Sequence, residues 1–289
     1  MSPRLVSEFR SRFAASGMTE DLIRDFQNEV MEFYETKGRH DMEWRLRFDP
    51  YRIVVSEVML QQTQVPRVAV MYPVFIEKFP DFASLAAAPQ AELLAAWQGM
   101  GYNRRALNLQ KLAVRVQEEF GGILPEDPKT LATLPGIGPA TSCSIAAFAF
   151  NRPVVFIETN IRRVFIHYFF SDTAAVDDRD LFPLVEACLL PGRTREWYWA
   201  LMDLGTALKT SVPNPNRRSR QYVKQSAFDG SDRQIRGALL RLLLNGDAED
   251  AETLAKAAGA SHDRVSRILE EMCREGFFVQ EEGGAYRIR

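Results

Sequence analysis

The stretch that decides the fold runs from residue 134 to residue 163 and reads LPGIGPATSCSIAAFAFNRPVVFIETNIRR. Its opening, LPGIG at 134–138, places two glycines where a chain can turn tightly and present consecutive backbone N–H groups. The apolar run that follows predicts a helix, and the positive end of its dipole would face the same point. Backbone amides at a helix N-terminus are suited to a phosphate. The pattern therefore predicts a hairpin that holds a phosphodiester, although a plain turn between two helices also fits it.

A second segment, YRIVVSEVMLQQTQV at 51–65, has apolar residues at helical spacing with Glu57 among them. Spacing of i, i+4 and i+7 would place Glu57, Gln61 and Gln64 on one polar stripe of the helix. A carboxyl group in apolar surroundings keeps its proton to higher pH, which suits a general acid. The amides can hydrogen-bond an unpaired base. The segment thus predicts acid chemistry on a nucleobase, with a solvated helix face as the alternative.

Four segments stand in a characteristic order: SEVMLQQTQV at 56–65, WQGMGYNRRALNL at 97–109, LPGIG at 134–138 and LMDLG at 201–205. Together they resemble the helix-hairpin-helix (HhH-GPD) DNA glycosylase superfamily, and SEVMLQQTQV is most similar to the MutY-type adenine glycosylases. The resemblance covers about residues 40–210. It implies a mainly α, two-lobed fold and the removal of a base in base excision repair.

The resemblance also assigns roles to individual residues. Glu57 corresponds to the acid that protonates adenine, and Tyr102 to an aromatic residue that wedges into the base stack. The residues that correspond to the other DNA contacts of the family are Gln61, Gln62 and Gln64 at the gap in the duplex, and Gly136, Ile137 and Gly138 at the phosphate.

Two departures from the family concern the chemistry. Glu158 stands where the family places an aspartate that stabilises the developing oxocarbenium ion, so the carboxylate is kept on a longer arm. The position of Glu158 also fits a simple helix N-terminal acid. Ala140 stands where relatives with lyase activity carry a lysine that forms a Schiff base. We therefore expect a monofunctional enzyme that hydrolyses the N-glycosidic bond and leaves the strand intact.

A third departure concerns the iron–sulfur cluster that relatives commonly bind after the LMDLG segment. The corresponding stretch, TALKTSVPNPNRRSRQYVKQSAF at 206–228, has no cysteine, and the three cysteines of the chain are scattered at 143, 188 and 273. The sequence therefore predicts no iron–sulfur cluster, no other cofactor and no metal site. In place of the cluster, Arg217 and Arg218 form a basic stretch that would follow the DNA backbone, with a solvated linker as the alternative.

The formal net charge of the 289-residue chain is only −2, so a DNA-binding face must come from local clusters. The candidate clusters are the arginine pairs Arg104-Arg105, Arg162-Arg163 and Arg217-Arg218. Since no stretch approaches 18 consecutive apolar residues, we expect no membrane contact and a cytoplasmic location. The expected partner is double-stranded DNA with a mismatch or lesion, bound by a monomer.

We predict a glycosylase domain over residues 1–228, with a six-helix lobe at about 51–152 and a second lobe from 1–50 plus 153–228. By resemblance, Glu57 and Glu158 would approach each other across the cleft. Residues 232–289 have the helix order and terminal β alternation of a winged helix-turn-helix. Its second helix would enter a DNA groove through His262, Arg264 and Arg267, although the acidic flank of this helix fits a protein contact equally well.

The leading expectation is removal of adenine opposite 8-oxoguanine or guanine. Removal of thymine or uracil opposite guanine stays open, because Asn103 stands where adenine enzymes tend to carry a second tyrosine. A non-catalytic DNA-binding protein or regulator is the alternative from another class.

Overall fold

A computed structural model describes residues 3–170, 175–223 and 227–289, and it is mainly helical as predicted. The helices of the first half are α1 Pro3–Ser16, α2 Glu20–Lys37, α3 Glu43–Leu46, α4 Pro50–Leu60, α5 Val65–Lys78, α6 Phe82–Ala86, α7 Gln90–Ala96 and α8 Arg104–Phe120. The remaining elements are α9 Pro128–Leu131, α10 Pro139–Phe150, α11 Thr159–Phe169, α12 Asp178–Ala187, α13 Thr194–Ser211, a 3₁₀ turn Pro215–Arg218, α14 Asp232–Asn245, α15 Ala251–Ala258, α16 His262–Arg274, and strands β1 Phe278–Gln280 and β2 Tyr286–Ile288. None of the helices in the described ranges is long and apolar enough to cross a membrane.

The described residues form two compact units. Unit 1 comprises residues 3–54, 125–133, 137–170 and 175–223, and unit 2 comprises residues 55–124, 134–136 and 227–289. The prediction that residues 139–150 belong to the lobe at about 51–152 differs from the structure. There, α10 contacts α9 and α13 and belongs to unit 1. Residues 224–226, which precede the predicted domain boundary before residue 232, lie outside the described residues.

The core of unit 1 is built around α11, which packs against α13 and α1. Phe26 of α2 lies at its centre and makes edge-to-face contacts with Phe165, Phe169 and Trp197, at ring-centroid distances of 5.3, 5.0 and 6.0 Å. Such aromatic contacts add to the free energy that burial of the rings provides. The helix that begins after Glu158 is therefore anchored in this aromatic core.

In unit 2, the amphipathic helix α8 packs against α6 and α7. Its buried side chains recur at 105, 109, 112, 113 and 116, which is helical spacing. The C-terminal helices α14, α15 and α16 are followed by an antiparallel pairing of β1 with β2, in which Phe278 lies opposite Ile288. This is the predicted element order of a winged helix, and we refer to residues 227–289 as the C-terminal module.

Candidate active site and nucleic-acid interface

Glu57 lies one turn before the end of α4, and its half-buried side chain follows the buried residues Val54, Val55 and Ser56. The predicted helical stripe of Glu57, Gln61 and Gln64 is wrong, because α4 ends at Leu60. Gln64 instead precedes the first residue of α5. Pro66 lies in the first turn of α5, where a missing N–H is tolerated, so it marks the start of the new helix. The glutamines thus follow Glu57 on a loop.

The three glutamines and Tyr102 line one cavity of about 1010 Å³ within unit 2. Gln61 Nε2 also donates a hydrogen bond of 3.4 Å to the carbonyl of Gly136 in the LPGIG turn. Two of these residues, Gln62 and Tyr102, have left-handed backbone with φ of 57° and 48°. Non-glycine residues rarely adopt this conformation, and it is concentrated at functional sites. The structure therefore brings the predicted gap-filling and wedge residues to the wall of one cavity.

The side chain of Arg105 holds the two loops that carry these residues. Its guanidinium donates to the carbonyls of Val58 and Met59 at 2.8 Å each, and to Thr63 Oγ1 at 2.9 Å. Its other backbone acceptors are the carbonyls of Gln61, Met100, Gly101 and Tyr102. Burial lowers the pKa of Arg105 to about 10, so the side chain stays protonated near neutral pH.

Arg105 was predicted to contribute to a DNA-binding cluster, and that prediction is wrong because its side chain is directed into unit 2. The sequence contained a signal for this, since Arg105 is in register with the apolar residues Leu109 and Leu112 of α8. Arg104 has the opposite character: its side chain is 62 % exposed and forms an ion pair of 2.6 Å with Glu275 of the C-terminal module.

The LPGIG turn has the backbone that its glycines predicted. Gly136 has φ of 79°, and a Cβ added there would lie 2.9 Å from Cβ of Asn108, so both strain and space require glycine. Ile137 is buried while Gly138 caps α10. Within the described ranges, the N–H groups of residues 136–138 donate no hydrogen bond to a protein acceptor. These amides are therefore available to a phosphate.

Glu158 caps α11 in unit 1. Its carboxylate accepts hydrogen bonds from the backbone N–H groups of Asn160 at 2.7 Å and Ile161 at 2.9 Å. Burial raises the pKa of Glu158 despite these donors. Neither neighbouring arginine forms an ion pair with it among the described residues, because Arg162 pairs with Asp178 at 2.7 Å and Arg163 donates to the carbonyl of Gly205 at 2.6 Å. Glu158 is thus a half-buried carboxylate held by backbone dipoles.

The LMDLG segment of α13 supports this cap. A Cβ at Gly205 would lie 2.4 Å from the carbonyl oxygen of Asn160, so the glycine permits α13 to approach the first turn of α11. Asp203 accepts hydrogen bonds from Arg45 at 2.8 and 2.9 Å and from the backbone N–H of Arg39 at 2.7 Å. Burial alone would raise the pKa of Asp203, but the two arginines outweigh burial and lower it. The sequence reasoning missed this buried network.

The stretch that replaces the cluster loop packs on α11. Asn216 Nδ2 donates to the carbonyl of Thr159 at 2.8 Å, and Arg218 donates to the carbonyls of Ile166 at 3.2 Å and Phe170. Arg217 is exposed. This segment offers amides and guanidinium groups instead of thiolates, so its residues do not fit an iron–sulfur cluster. Among the described residues, no group of three or more histidine, cysteine or acidic side chains could hold a metal ion.

The predicted recognition side chains of α16 are engaged within the C-terminal module. Arg264 and Arg267 both form ion pairs with Asp232, at 2.6 and 2.7 Å, and Arg267 also pairs with Glu271 at 3.0 Å. His262 is exposed and lies 3.6 Å from Asp263. The positive charge of this helix is therefore largely compensated by neighbouring acids.

Comparison with known proteins connects these features to one family. Residues 55–180 match the family described as HhH-GPD superfamily base excision DNA repair protein. The chain is 36 % identical over 281 residues to an adenine DNA glycosylase of Mycolicibacterium smegmatis, covering 90 % of this chain and 94 % of that protein.

Two solved structures share the fold. A thermostable thymine-DNA glycosylase superposes with a TM-score of 0.59 at 26 % identity, covering 67 % of this chain and 90 % of that one. A non-covalent endonuclease III–DNA complex superposes with a TM-score of 0.54 at 20 % identity, covering 68 % of this chain and 90 % of that one. The second similarity concerns the fold alone.

Proposed function

Because the chain belongs to the MutY-type adenine DNA glycosylases of the HhH-GPD superfamily, we propose that it removes adenine from mispaired DNA by hydrolysis. The observation that supports this proposal is one cavity lined by the three glutamines of the loop after α4 and by Tyr102 of the loop before α8. Amides and an aromatic wedge are the groups that fill the gap left by a flipped nucleotide and hold the opposite base. The acid at the end of α4 is thus followed directly by the groups that open the duplex.

In the proposed mechanism, Glu57 donates a proton to a ring nitrogen of adenine, and the electrons of the C1′–N bond move onto the leaving base. The carboxylate of Glu158 stabilises the positive charge that develops on the sugar. A water molecule adds to C1′, and its proton passes to a carboxylate. The backbone donors to Glu158 favour its ionised form against the effect of burial.

The proposed reaction stops at the abasic site. Ala140, exposed in the first turn of α10, has no amine that could attack C1′ and form a Schiff base. We further propose that the enzyme has no iron–sulfur cluster, because residues 206–228 contain no cysteine. We also propose that it acts as a monomer.

The base opposite the adenine is proposed to be 8-oxoguanine or guanine. Thymine or uracil opposite guanine is the second candidate, and the similarity at 26 % identity to a thymine-DNA glycosylase favours testing it. A single-turnover panel of duplexes with A, T or U opposite guanine or 8-oxoguanine separates the two. We expect base release from the adenine duplexes, with nicks appearing only after alkali.

Three variants test the assigned carboxylates. Glu57→Gln is expected to slow base release by roughly 10²–10⁴-fold, the range that general acid catalysis contributes. Glu158→Gln is expected to slow it by roughly 10²–10³-fold, as for other losses of transition-state electrostatics. Glu77→Gln, on the exposed face of α5, is the matched control and should keep the wild-type rate. Tight DNA binding without base release from any duplex would instead favour a non-catalytic DNA-binding protein or regulator.

Iron analysis of the purified protein tests the cofactor proposal in the same preparation. Base release by protein with less than one tenth of an iron atom per chain is the expected result; four iron atoms per active chain would overturn it.

A further inference from the structure

One wall of the 1010 Å³ cavity is not made by the predicted DNA contacts. Helix α14 of the C-terminal module contributes this wall with Arg233, Gly237, Leu240 and Arg241. These residues recur at i, i+4, i+7 and i+8, so they form one face of the helix. The opposite wall carries the glutamine loop and Tyr102. The cavity therefore lies between a face with no assigned role and the residues proposed to open the duplex.

The C-terminal module is held against the rest of unit 2 by polar contacts. Glu275 pairs with both Arg104 of α8, at 2.6 Å, and Arg236 of α14. Gln90 Nε2 of α7 donates to the carbonyls of Gly276 at 2.8 Å and Phe277 at 3.1 Å. Glu275 partly offsets the charges of Arg104 and Arg236, and Arg236 also lies 3.8 Å from a carboxylate oxygen of Glu271.

Arg233 and Arg241 lie on the same face of α14. Arg241 is exposed and has no ion pair within the described ranges. Arg233 Nη1 donates a hydrogen bond of 3.0 Å to the hydroxyl of Tyr102, and its guanidinium lies 6.0 Å from the ring centroid of Phe228. The α14 wall thus carries positive charge beside Tyr102, the proposed wedge. The negatively charged backbone and stacked bases of DNA would approach at this point.

We propose that this face of α14 binds the sugar–phosphate backbone of the DNA at the wedge, with Arg233 and Arg241 as the phosphate contacts. This inference rests on the proposed function of the glutamine loop and Tyr102. It assigns DNA contact to α14 instead of α16, whose arginines pair with Asp232 and Glu271.

The hydrogen bond between Arg233 and Tyr102 adds a functional consequence. Holding the hydroxyl restrains the tyrosine ring before DNA arrives, so Arg233 is a positioning residue as well as a phosphate contact. Replacing either Arg233 or Tyr102 should then slow base release, and replacing the second residue as well should not slow it further.

The test measures the affinity of the full chain for a duplex with a tetrahydrofuran abasic analogue opposite guanine, between 50 and 200 mM KCl. Each phosphate contact contributes about 0.9 to the slope of log affinity against log salt. Arg241→Gln should therefore lower the slope by about 0.9, so that the affinity of wild type falls about 3.5-fold further than that of the variant across this fourfold range. Arg241→Lys should keep the wild-type slope.

The matched control is Arg287→Gln in β2, since Arg287 pairs with Glu281 and does not line the cavity. An unchanged slope for Arg241→Gln, or an equal loss for Arg287→Gln, would overturn the proposal. This duplex has no base to release, so the result is independent of whether the chain excises adenine.

A double-mutant cycle tests the positioning role. Arg233→Gln and Tyr102→Phe should each slow single-turnover release from the A·8-oxoguanine duplex, and the double variant should be no slower than the worse single variant. Multiplied losses in the double variant would show that the two residues act independently and would overturn the positioning role. Tyr102→Phe should leave the salt slope unchanged, whereas Arg233→Gln should lower it.

Discussion

Two of the buried arginines, Arg45 in unit 1 and Arg105 in unit 2, have their charge compensated in opposite ways. Arg45 in unit 1 is 6 % exposed and donates to the carboxylate of Asp203 at 2.8 and 2.9 Å. Arg105 in unit 2 is 8 % exposed and donates to neutral oxygens, most of them backbone carbonyls at the end of α4 and in the loops before α5 and α8. An ion pair concentrates the compensation on one acid, whereas the carbonyls distribute it over many acceptors. The first arrangement ties helices together, and the second shapes the loops that carry the proposed DNA contacts.

The largest expected effect on stability is that of Asp203→Asn. The change leaves Arg45 buried without a counter-charge, and loss of one partner of a buried ion pair costs about 3–5 kcal/mol. Urea unfolding followed by circular dichroism measures the loss. Asp25→Asn is the control, because Asp25 pairs with Arg12 at 2.8 Å on the surface with 44 % of its side chain exposed. Surface pairs contribute about 0–1 kcal/mol, so equal losses would contradict the distinction between the two sites.

Replacing Arg105 should lower the free energy of unfolding less than Asp203→Asn does, and it should reduce the activity more. Arg105→Leu removes the donors to the loop carbonyls, at about 1–3 kcal/mol for the acceptors left buried. Since these carbonyls shape the loops with Gln61 and Tyr102, single-turnover base release should fall more than 100-fold, given the sensitivity of catalysis to misplacement of about 1 Å. Arg105→Lys keeps the charge but not the planar fork, and should recover stability better than rate.

Unfolding and base release should therefore be compared in the same Arg105 preparations. A rate that falls only in proportion to the unfolded fraction would mean that Arg105 stabilises unit 2 without positioning the loops.

The pH dependence of stability tests the ion pair between Arg45 and Asp203 directly. The folded state lowers the pKa of Asp203 below its usual 3.8, so the folded protein binds fewer protons than the unfolded chain as the pH falls toward that value. The contribution of Asp203 is present above the unfolded pKa and is lost as the pH falls through the folded pKa. We expect the difference in unfolding free energy between wild type and Asp203→Asn to be constant from pH 5 to 7 and to narrow below about 4. A constant difference down to pH 3 would show that the carboxylate charge does not stabilise unit 1.

The contrast also shows what the sequence reveals. The LPGIG glycines, Glu57 and Tyr102 belong to continuous motifs, so spacing and family resemblance together could single them out as candidates, and helical periodicity predicted the mainly helical fold. The end of α4 at Leu60 escaped prediction because the polar residues Glu57, Gln61 and Gln64 keep helical spacing beyond it. The partners of Arg105 and Asp203 escaped prediction because they include residues far along the chain, up to 47 positions from Arg105 and 164 from Asp203, which local spacing does not identify.

The same limit applies to the basic stretch that replaces the cluster loop. Arg217 and Arg218 are adjacent and equally charged in the sequence, yet Arg217 is exposed while Arg218 donates to carbonyls at the end of α11. Only the packing of that segment on α11 within unit 1 separates a candidate phosphate contact from an internal one.

The smallest expected effect tests whether the compensation of Arg105 is truly distributed. Thr63 Oγ1 accepts from Arg105 at 2.9 Å and donates to the carbonyl of Met100 at 3.3 Å. Thr63→Val keeps the shape and removes one acceptor of several, so it should cost about 1 kcal/mol, the net value of a typical hydrogen bond. Thr63→Ser should restore most of that loss in urea unfolding, since it returns the hydroxyl. A loss for Thr63→Val as large as that for Asp203→Asn would mean that one contact dominates at Arg105 too, because the remaining carbonyls would then fail to share the charge.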